Sequence, residues 1–318
     1  MKALILAAGF GTRLRPFTNE IPKPLCPFFG VSFLDLALHR VLPYADEIAI
    51  NCHHLHTKIE SHIERYYPDQ SFRLSVEDEI RGTGGALFPL KTWLGDDDLL
   101  IYNADIISDI DLNSFISKHE SSDSLATMMM LESPSPGKTP IYCEGSKVIS
   151  IGNEPEEYDS VSTFSGIHIV SNEFVQRIPC QSPWSIIDTY HQLLSENRTI
   201  LLDKHGGFWE DLGTPHSLWQ GHQKVIDNQG EPLLRRLGVT TIREQRSLPP
   251  IHIDKESRSA WSSNLRFSKP PFQSYVELHE QVACSIKNSV LVYSSDLTNQ
   301  PIHDCVYIND LKDVHSGA

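Results

Sequence analysis

The apolar positions fall into short runs and helical stripes that alternate along the first two-thirds of the chain. Lys2 to Ala7 is a continuous apolar run that predicts a buried first strand. Ser32 to Leu42 then carries Phe33, Leu34, Leu36, Leu38, Val41 and Leu42 at the spacing of a helix packed on a sheet. Strands are predicted at Asp46–Asn51, Ser71–Val76, Leu99–Tyr102 and Leu125–Leu131, and a helix at His56–Tyr66. Tyr142–Ile151 reads as a hairpin turning at Glu144-Gly145-Ser146, followed by a strand ending at Val170, a helix from Pro183 to about Glu196 and a strand at Thr199–Asp203. A β-α-β-α order implies an α/β fold with a largely parallel sheet and helices on its faces, and ligands in such sheets bind at the carboxyl ends of strands. A helix from Pro215 to about Gln229 closes this part. From Gly230 onward the pattern changes: Glu244 to Pro271 is polar and rich in Pro and Ser, with Pro249-Pro250 and Pro270-Pro271 arguing against helices.

At 318 residues the chain is long enough for one large domain and a small one. Its net charge of −14 argues against nucleic acid or an anionic membrane as partner, so basic residues gathered at the N-terminus point to a small anionic ligand. The six cysteines, Cys26, Cys52, Cys143, Cys180, Cys284 and Cys305, form no CxxC pair, which suggests neither a disulfide framework nor a zinc site and fits reduced thiols in a cytoplasm. The apolar start is too short for a signal peptide, and no run of about 20 apolar residues occurs to span a membrane.

The first strand ends in Ala8-Gly9-Phe10-Gly11-Thr12, where the glycines can bring backbone N–H groups against a phosphate. Arg13 and Arg15 add guanidinium forks, and Lys23, between Pro22 and Pro24, adds a point charge on a stiff segment. Together these read as a polyphosphate cradle. A dinucleotide fingerprint would need glycine where Leu14 stands, and a P-loop would need Gly-Lys-Ser/Thr, which is absent.

This stretch, Leu6 to Pro16 followed by Pro22-Lys23-Pro24-Leu25, resembles the signature of the sugar-1-phosphate nucleotidyltransferases, departing mildly with Phe17 for the usual leucine. The resemblance covers about residues 1–228 and implies a Rossmann-like three-layer nucleotidyltransferase fold with a mixed, mostly parallel sheet. It implies a catalytic domain over 1–228 and a Pro/Ser-rich linker with a β-rich tail over 229–318. Ala8, Gly9, Gly11, Thr12 and Arg13 would then bind nucleotide phosphates, with Arg13 and Lys23 as the catalytic cations. Arg81-Gly82-Thr83-Gly84-Gly85 opens a predicted helix, and its amides can read base edges; by resemblance Thr83, Gly84 and Gly85 hold the nucleobase.

Asn103-Ala104-Asp105, at the end of an apolar strand, is placed to hold Mg²⁺ beside phosphates, and in Trp209-Glu210-Asp211-Leu212-Gly213-Thr214-Pro215 the family register makes Asp211 the second ligand. Glu210 is a rival of the right type. Asp109 and Asp111 read as solvated or helix-capping. The histidines of Cys52-His53-His54-Leu55-His56 cannot easily converge on one ion and read as loop packing. Asn103, Asn153, Glu154, Ser165 and Gly166 are the expected sugar-binding residues. Where many members of the family carry Glu-Glu-Lys-Pro, with the lysine on the sugar phosphate, this chain has Gly152-Asn153-Glu154-Pro155 and no lysine. Thr163-Phe164-Ser165-Gly166-Ile167 resembles the segment of the N-acetylmuramate-1-phosphate uridylyltransferases, a branch that also lacks it, and His168 beside it reads as a half-buried strand residue.

The resemblance thus implies transfer of a nucleotidyl group from a nucleoside triphosphate to a sugar 1-phosphate, with UTP and an N-acetylated sugar for cell-wall or peptidoglycan recycling as first choice. Mannose- or heptose-1-phosphate guanylyltransferases are similar too. A regulatory homologue that binds nucleotide sugar without making it, and an enzyme for a non-sugar phosphate such as phosphocholine, stay open. In the tail, Ile286 to Leu291 is echoed at Ile302 to Tyr307, resembling rungs of a left-handed β-helix that would pack on the catalytic domain or another subunit, with an irregular β tail as the other reading.

Overall fold

The computed structural model describes residues 1–15 and 17–248, and in the tail 251–254, 259–262, 275–277, 286–287, 290–292, 302–303, 305–308 and 314–315. It divides into two compact units, one of Met1–Gly9, Arg40–Ile106 and Ile110–Trp209, the other of Phe10–His39, Ile107–Asp109 and Glu210–Ala318.

The first unit is built on one nine-stranded sheet. Its strands in chain order are β1 (Lys2–Leu6), β2 (Glu47–Cys52), β3 (Phe72–Val76), β4 (Leu99–Asn103), β5 (Ala126–Leu131), β6 (Pro140–Glu144), β7 (Lys147–Ile151), β8 (Ser160–Val170) and β9 (Ile200–His205). They lie in the order β3-β2-β1-β4-β8-β5-β9-β7-β6, and β8 pairs also with β6. The pairs β2–β3, β1–β2 and β1–β4 are parallel, which is why β1, β2 and β4 read as apolar runs rather than alternations: helices cover both faces of such strands. Beyond β4 the pairings are antiparallel except for β5–β9.

The bend in β8 organises this half. Its last residues, Ile167 to Val170, pair with β4, while its first, Ser160 to Thr163, pair with β6. The register against β5 shifts between Phe164 and His168, and Gly166 within that shift has φ +84°, a backbone that disfavours any residue with a Cβ. The chain of pairings β8-β5-β9-β7-β6 therefore returns to β8 and closes a ring of five strands. Leu4, Ile101, Met128, Met130, Phe174, Tyr190 and Leu202 are among the residues of the core beneath the sheet. Asp111 caps the helix Leu112–Glu120, its carboxylate accepting from the Ser114 amide at 3.1 Å.

In the second unit the helix Pro215–Asp227 starts on a capping box between Thr214 and Ser217. The stretch expected to be linker from residue 229 forms two helices, Glu231–Arg236 and Val239–Gln245, and these grip the turn that follows Lys23. Phe29 has φ +49°; its amide donates to His222 Nε2 at 3.1 Å and its carbonyl accepts from Arg243 at 2.9 Å. Arg246 forks onto the fully buried Asp35 at 2.6 and 2.7 Å. Farther on, strands stack in parallel with Ala260 opposite Tyr275, Tyr275 opposite Val290, Val290 opposite Val306 and Ile286 opposite Ile302. The last two offsets match the sequence echo. Antiparallel strands Ile251–Asp254 and Val314–His315 flank the stack; Pro249-Pro250 and Pro270-Pro271 lie outside the described residues.

Two buried histidines give the fold a pH dependence. His168 shares a hydrogen bond with the Tyr190 hydroxyl at 2.5 Å, and His222 donates through Nδ1 to the Leu218 carbonyl at 2.8 Å; burial pushes both rings from 6.5 down to about 3. The unfolded chain takes a proton on each ring below pH 6.5 while the folded chain stays neutral until about 3, so stability falls as pH drops through that window. At pH 5 each ring is expected to have removed about 2 kcal/mol. Urea unfolding at pH 7, 6 and 5 checks this: a falling midpoint is expected, and a flat one would show that the rings are protonated in the fold.

Candidate nucleotide and sugar-phosphate site

In the first unit β1 and β4 lie side by side, so the loops at their carboxyl ends are neighbours: the Ala104 amide donates to the Leu6 carbonyl at 3.0 Å. Ala7 and Ala8 are buried and Gly9 is exposed, so the chain surfaces at the glycine. Two buried residues that sequence reasoning passed over fix this corner. Asn51, at the end of β2, accepts from the Ala7 amide at 2.7 Å and donates to Glu77 Oε1 at 2.9 Å. Glu77, 3% exposed, accepts from the Arg81 amide at 2.9 Å through its other oxygen. One side-chain bridge thus ties the loop after β1 to the Gly82–Gly85 loop. Glu77-Asp78-Glu79 looks like a solvated acidic run, and the only hint was an asparagine ending the apolar Ile48-Ala49-Ile50.

The Gly82–Gly85 loop is moulded on Trp184. A Cβ on Gly82, whose φ is +76°, would lie 2.6 Å from the Trp184 carbonyl oxygen, and one on Gly84 would lie 2.7 Å from the indole. The Gly84 and Gly85 amides both donate to that carbonyl at 3.0 Å, and Thr83 Oγ1 accepts from the Ile186 amide at 3.1 Å. Those two amides are engaged within the protein, and the glycines are needed for the close approach of Trp184.

Of the residues expected to bind the sugar, Asn103, Ser165 and Gly166 come together. A Cβ on Gly166 would lie 2.7 Å from Asn103 Nδ2, and Trp209 Nε1 donates to the Ser165 carbonyl at 2.9 Å. Asn153 and Glu154 are exposed on the loop after β7, where Ser150 donates to the Asn153 carbonyl at 2.6 Å and the Tyr158 hydroxyl donates to Glu154 at 2.8 Å.

In the second unit Gly11 has φ +64°, and a Cβ there would lie 2.7 Å from Thr18 and 3.0 Å from Lys23, so this glycine lets Lys23 pack against the loop. Lys23 itself opens a tight turn with Pro22 before it and Pro24 after it. Cys26 next to it is fully buried, which pushes its thiol up to about 12 and leaves it unreactive. Arg13 and Asp211 converge on Gly213: a Cβ on that buried glycine would lie 2.8 Å from Arg13 Nη2 and 2.9 Å from Asp211 Oδ1. Glu210 is held otherwise. It is 9% exposed and ion-paired with Lys224, and burial raises its pKa against the opposing pull of that lysine.

A family model, that of the nucleotidyl transferases, matches residues 2–228. The chain belongs to this family. It is 28% identical over 233 residues to a mannose-1-phosphate guanyltransferase of Aspergillus fumigatus, covering 70% of this chain and 63% of the relative. It is 26% identical over 249 residues to a UTP–glucose-1-phosphate uridylyltransferase of Synechocystis, covering 72% and 64%. The chain therefore spans somewhat less than two-thirds of the length of these relatives. Among solved structures it superposes on HddC from Yersinia pseudotuberculosis, crystallised with GMP-PN, with a TM-score of 0.58 at 21% identity, covering 70% of this chain and 98% of that one; the likeness establishes the Rossmann-like fold.

Members of the family work with a divalent cation, and the carboxylates here suit one. Mg²⁺ is held by one or two carboxylates and completed by phosphate oxygens and water. Asp105, just past the end of β4, and Asp211, ending the strand Trp209–Asp211, are half-buried hard donors of that kind. Among the described residues no three His, Cys, Asp or Glu side chains gather as a metal cage. His53 and His56 are instead bonded to the carbonyls of Glu77 and His53, at 2.7 and 3.3 Å. No helix among the described residues is long and apolar enough to cross a membrane.

Proposed function

We propose that this family member transfers a nucleotidyl group from a nucleoside triphosphate to a sugar 1-phosphate, releasing pyrophosphate. The observation that supports the reading is the convergence of Arg13 and Asp211 on Gly213, because a guanidinium fork beside a carboxylate, both at motif positions of the family, suits neutralisation of phosphate and binding of a metal. A phosphate monoester dianion is already a competent nucleophile, so attack of its oxygen on the α-phosphorus, in line with the departing pyrophosphate, needs no general base. The protein's part is position and charge. Arg13 neutralises the triphosphate and the leaving pyrophosphate, Lys23 the α-phosphate, and the amides of Ala8, Gly9, Gly11 and Thr12 cradle the chain of phosphates. Asp105 and Asp211 hold Mg²⁺, which when bound offsets charge on the phosphate oxygens. The surface shaped by Thr83, Gly84 and Gly85 holds the base, and Asn103, Ser165 and Gly166 the sugar.

For substrates, the Thr163–Ile167 segment and the absent lysine support UTP with an N-acetylated sugar 1-phosphate, in cell-wall or surface-polysaccharide synthesis in the cytoplasm. Similarity to a mannose-1-phosphate guanyltransferase supports GTP with mannose or heptose 1-phosphate as the second reading. Pyrophosphate release, measured with Mg²⁺ across the common nucleoside triphosphates and a panel of sugar 1-phosphates, is expected with one pair and lost in Asp105→Asn. Binding of nucleotide sugar with no release from any pair would replace the enzyme by a sensor.

A further inference from the structure

The acceptor of the proposed reaction carries a phosphate dianion, yet position 154, where the resembled pattern has a lysine, carries a glutamate. Its carboxylate accepts from the Tyr158 hydroxyl, and that ring meets Tyr142 edge-on with centroids 4.9 Å apart, so the loop after β7 is folded back on the hairpin. A cation has to come from another element. The loop joining β5 to β6, residues 132–139, meets the loop after β7 at Gly152. The Gly152 amide donates to the Pro140 carbonyl at 2.8 Å, and a Cβ on Gly152 would touch the Thr139 methyl at 3.5 Å. The residue before Thr139 is Lys138, exposed at the end of a turn in which its amide donates to the Ser135 carbonyl at 3.2 Å and Gly137 takes φ +74°.

The same turn is anchored to the strand of the sugar site. The Ser135 amide donates to Thr163 Oγ1 at 2.7 Å, and Thr163 lies opposite Pro140 in the β8–β6 pairing. Thr163 is two residues from Ser165 on β8, about 7 Å along a strand. Of the other lysines of this ring of strands, Lys147 stands opposite Glu144 at the far end of the hairpin, and Lys204, opposite Met130 on β5, places its ammonium on Ser160 at 3.2 Å.

We infer that Lys138 is the phosphate-binding cation for the acceptor substrate, supplied by the β5–β6 loop in place of the lysine missing after β7. The inference rests on the nucleotidyl-transfer reading and concerns only how the acceptor is held. Steady-state rates are to be measured for wild type, Lys138→Ala, Lys138→Arg and Lys147→Ala with whichever pair the wild type turns over. Lys138→Ala is expected to raise KM for the sugar phosphate about tenfold or more, the size of a lost charged hydrogen bond, with KM for the nucleotide unchanged. Lys138→Arg should restore most of the loss and Lys147→Ala should change nothing. An unchanged acceptor KM in Lys138→Ala overturns the inference and leaves the nucleotidyl-transfer reading intact. If the wild type turns over no pair, that reading falls, and titration with inorganic phosphate decides Lys138: weaker binding in Lys138→Ala upholds its role, equal binding ends it.

Discussion

Asp211→Asn is expected to lower kcat for pyrophosphate release by a factor of about a hundred or more, since it removes the charge proposed to act where the phosphates react. The loss should come without a loss of fold. Asp211 is half-buried beside Arg13, and asparagine keeps the volume, so thermal melting should barely move. Glu210→Gln separates the two carboxylates. Glu210 is ion-paired with Lys224 and buried, so its replacement should show mainly as a shift in melting temperature while leaving activity within a few-fold of wild type. Stopped-flow or coupled assays of both variants beside their melting curves make the comparison. The reverse pattern, with Glu210 essential and Asp211 dispensable, would transfer the metal-binding role to Glu210.

The second large effect is structural. Gly82→Ala would force a Cβ to within 2.6 Å of the Trp184 carbonyl oxygen and 3.1 Å of its carbon, at a backbone φ of +76°. Neither atom can yield as a flexible side-chain end could. The left-handed backbone costs about 1–2 kcal/mol and the overlap about 1–3 more. Melting should fall by roughly 10 °C on the usual scale for a domain of this size. Gly9→Ala is the control, because a Cβ there meets nothing within 4 Å. If the two variants melt alike, the Trp184 contact is not what demands glycine at position 82.

What the sequence disclosed follows from how local each signal is. The loop after β1 is a contiguous family motif, and its strand is a plain apolar run, so both could be read from neighbouring residues. The ring closed by β8 could not. It depends on one strand serving two partners through a register shift at Gly166, and a lone strand glycine is compatible with many arrangements. Asn51 and Glu77 were hidden because their value lies in a buried bridge between segments 26 residues apart. Trp184 looked like a helix entry and proved to be the mould for residues 82–85, some hundred positions earlier. The helices Glu231–Arg236 and Val239–Gln245 were masked by Gly230, Pro232 and Gly238, which interrupt any long periodic pattern. Their stability comes from distant partners, His39, Phe29 and Asp35, that no local window contains.

The measurement that bears most directly on the central claim is isotope exchange between labelled pyrophosphate and the nucleoside triphosphate. Direct attack by the sugar phosphate, with the protein contributing only position and charge, predicts exchange solely when sugar 1-phosphate or the nucleotide sugar is present. Exchange with triphosphate and enzyme alone would require the nucleotidyl group to rest on a protein side chain, and would contradict the account.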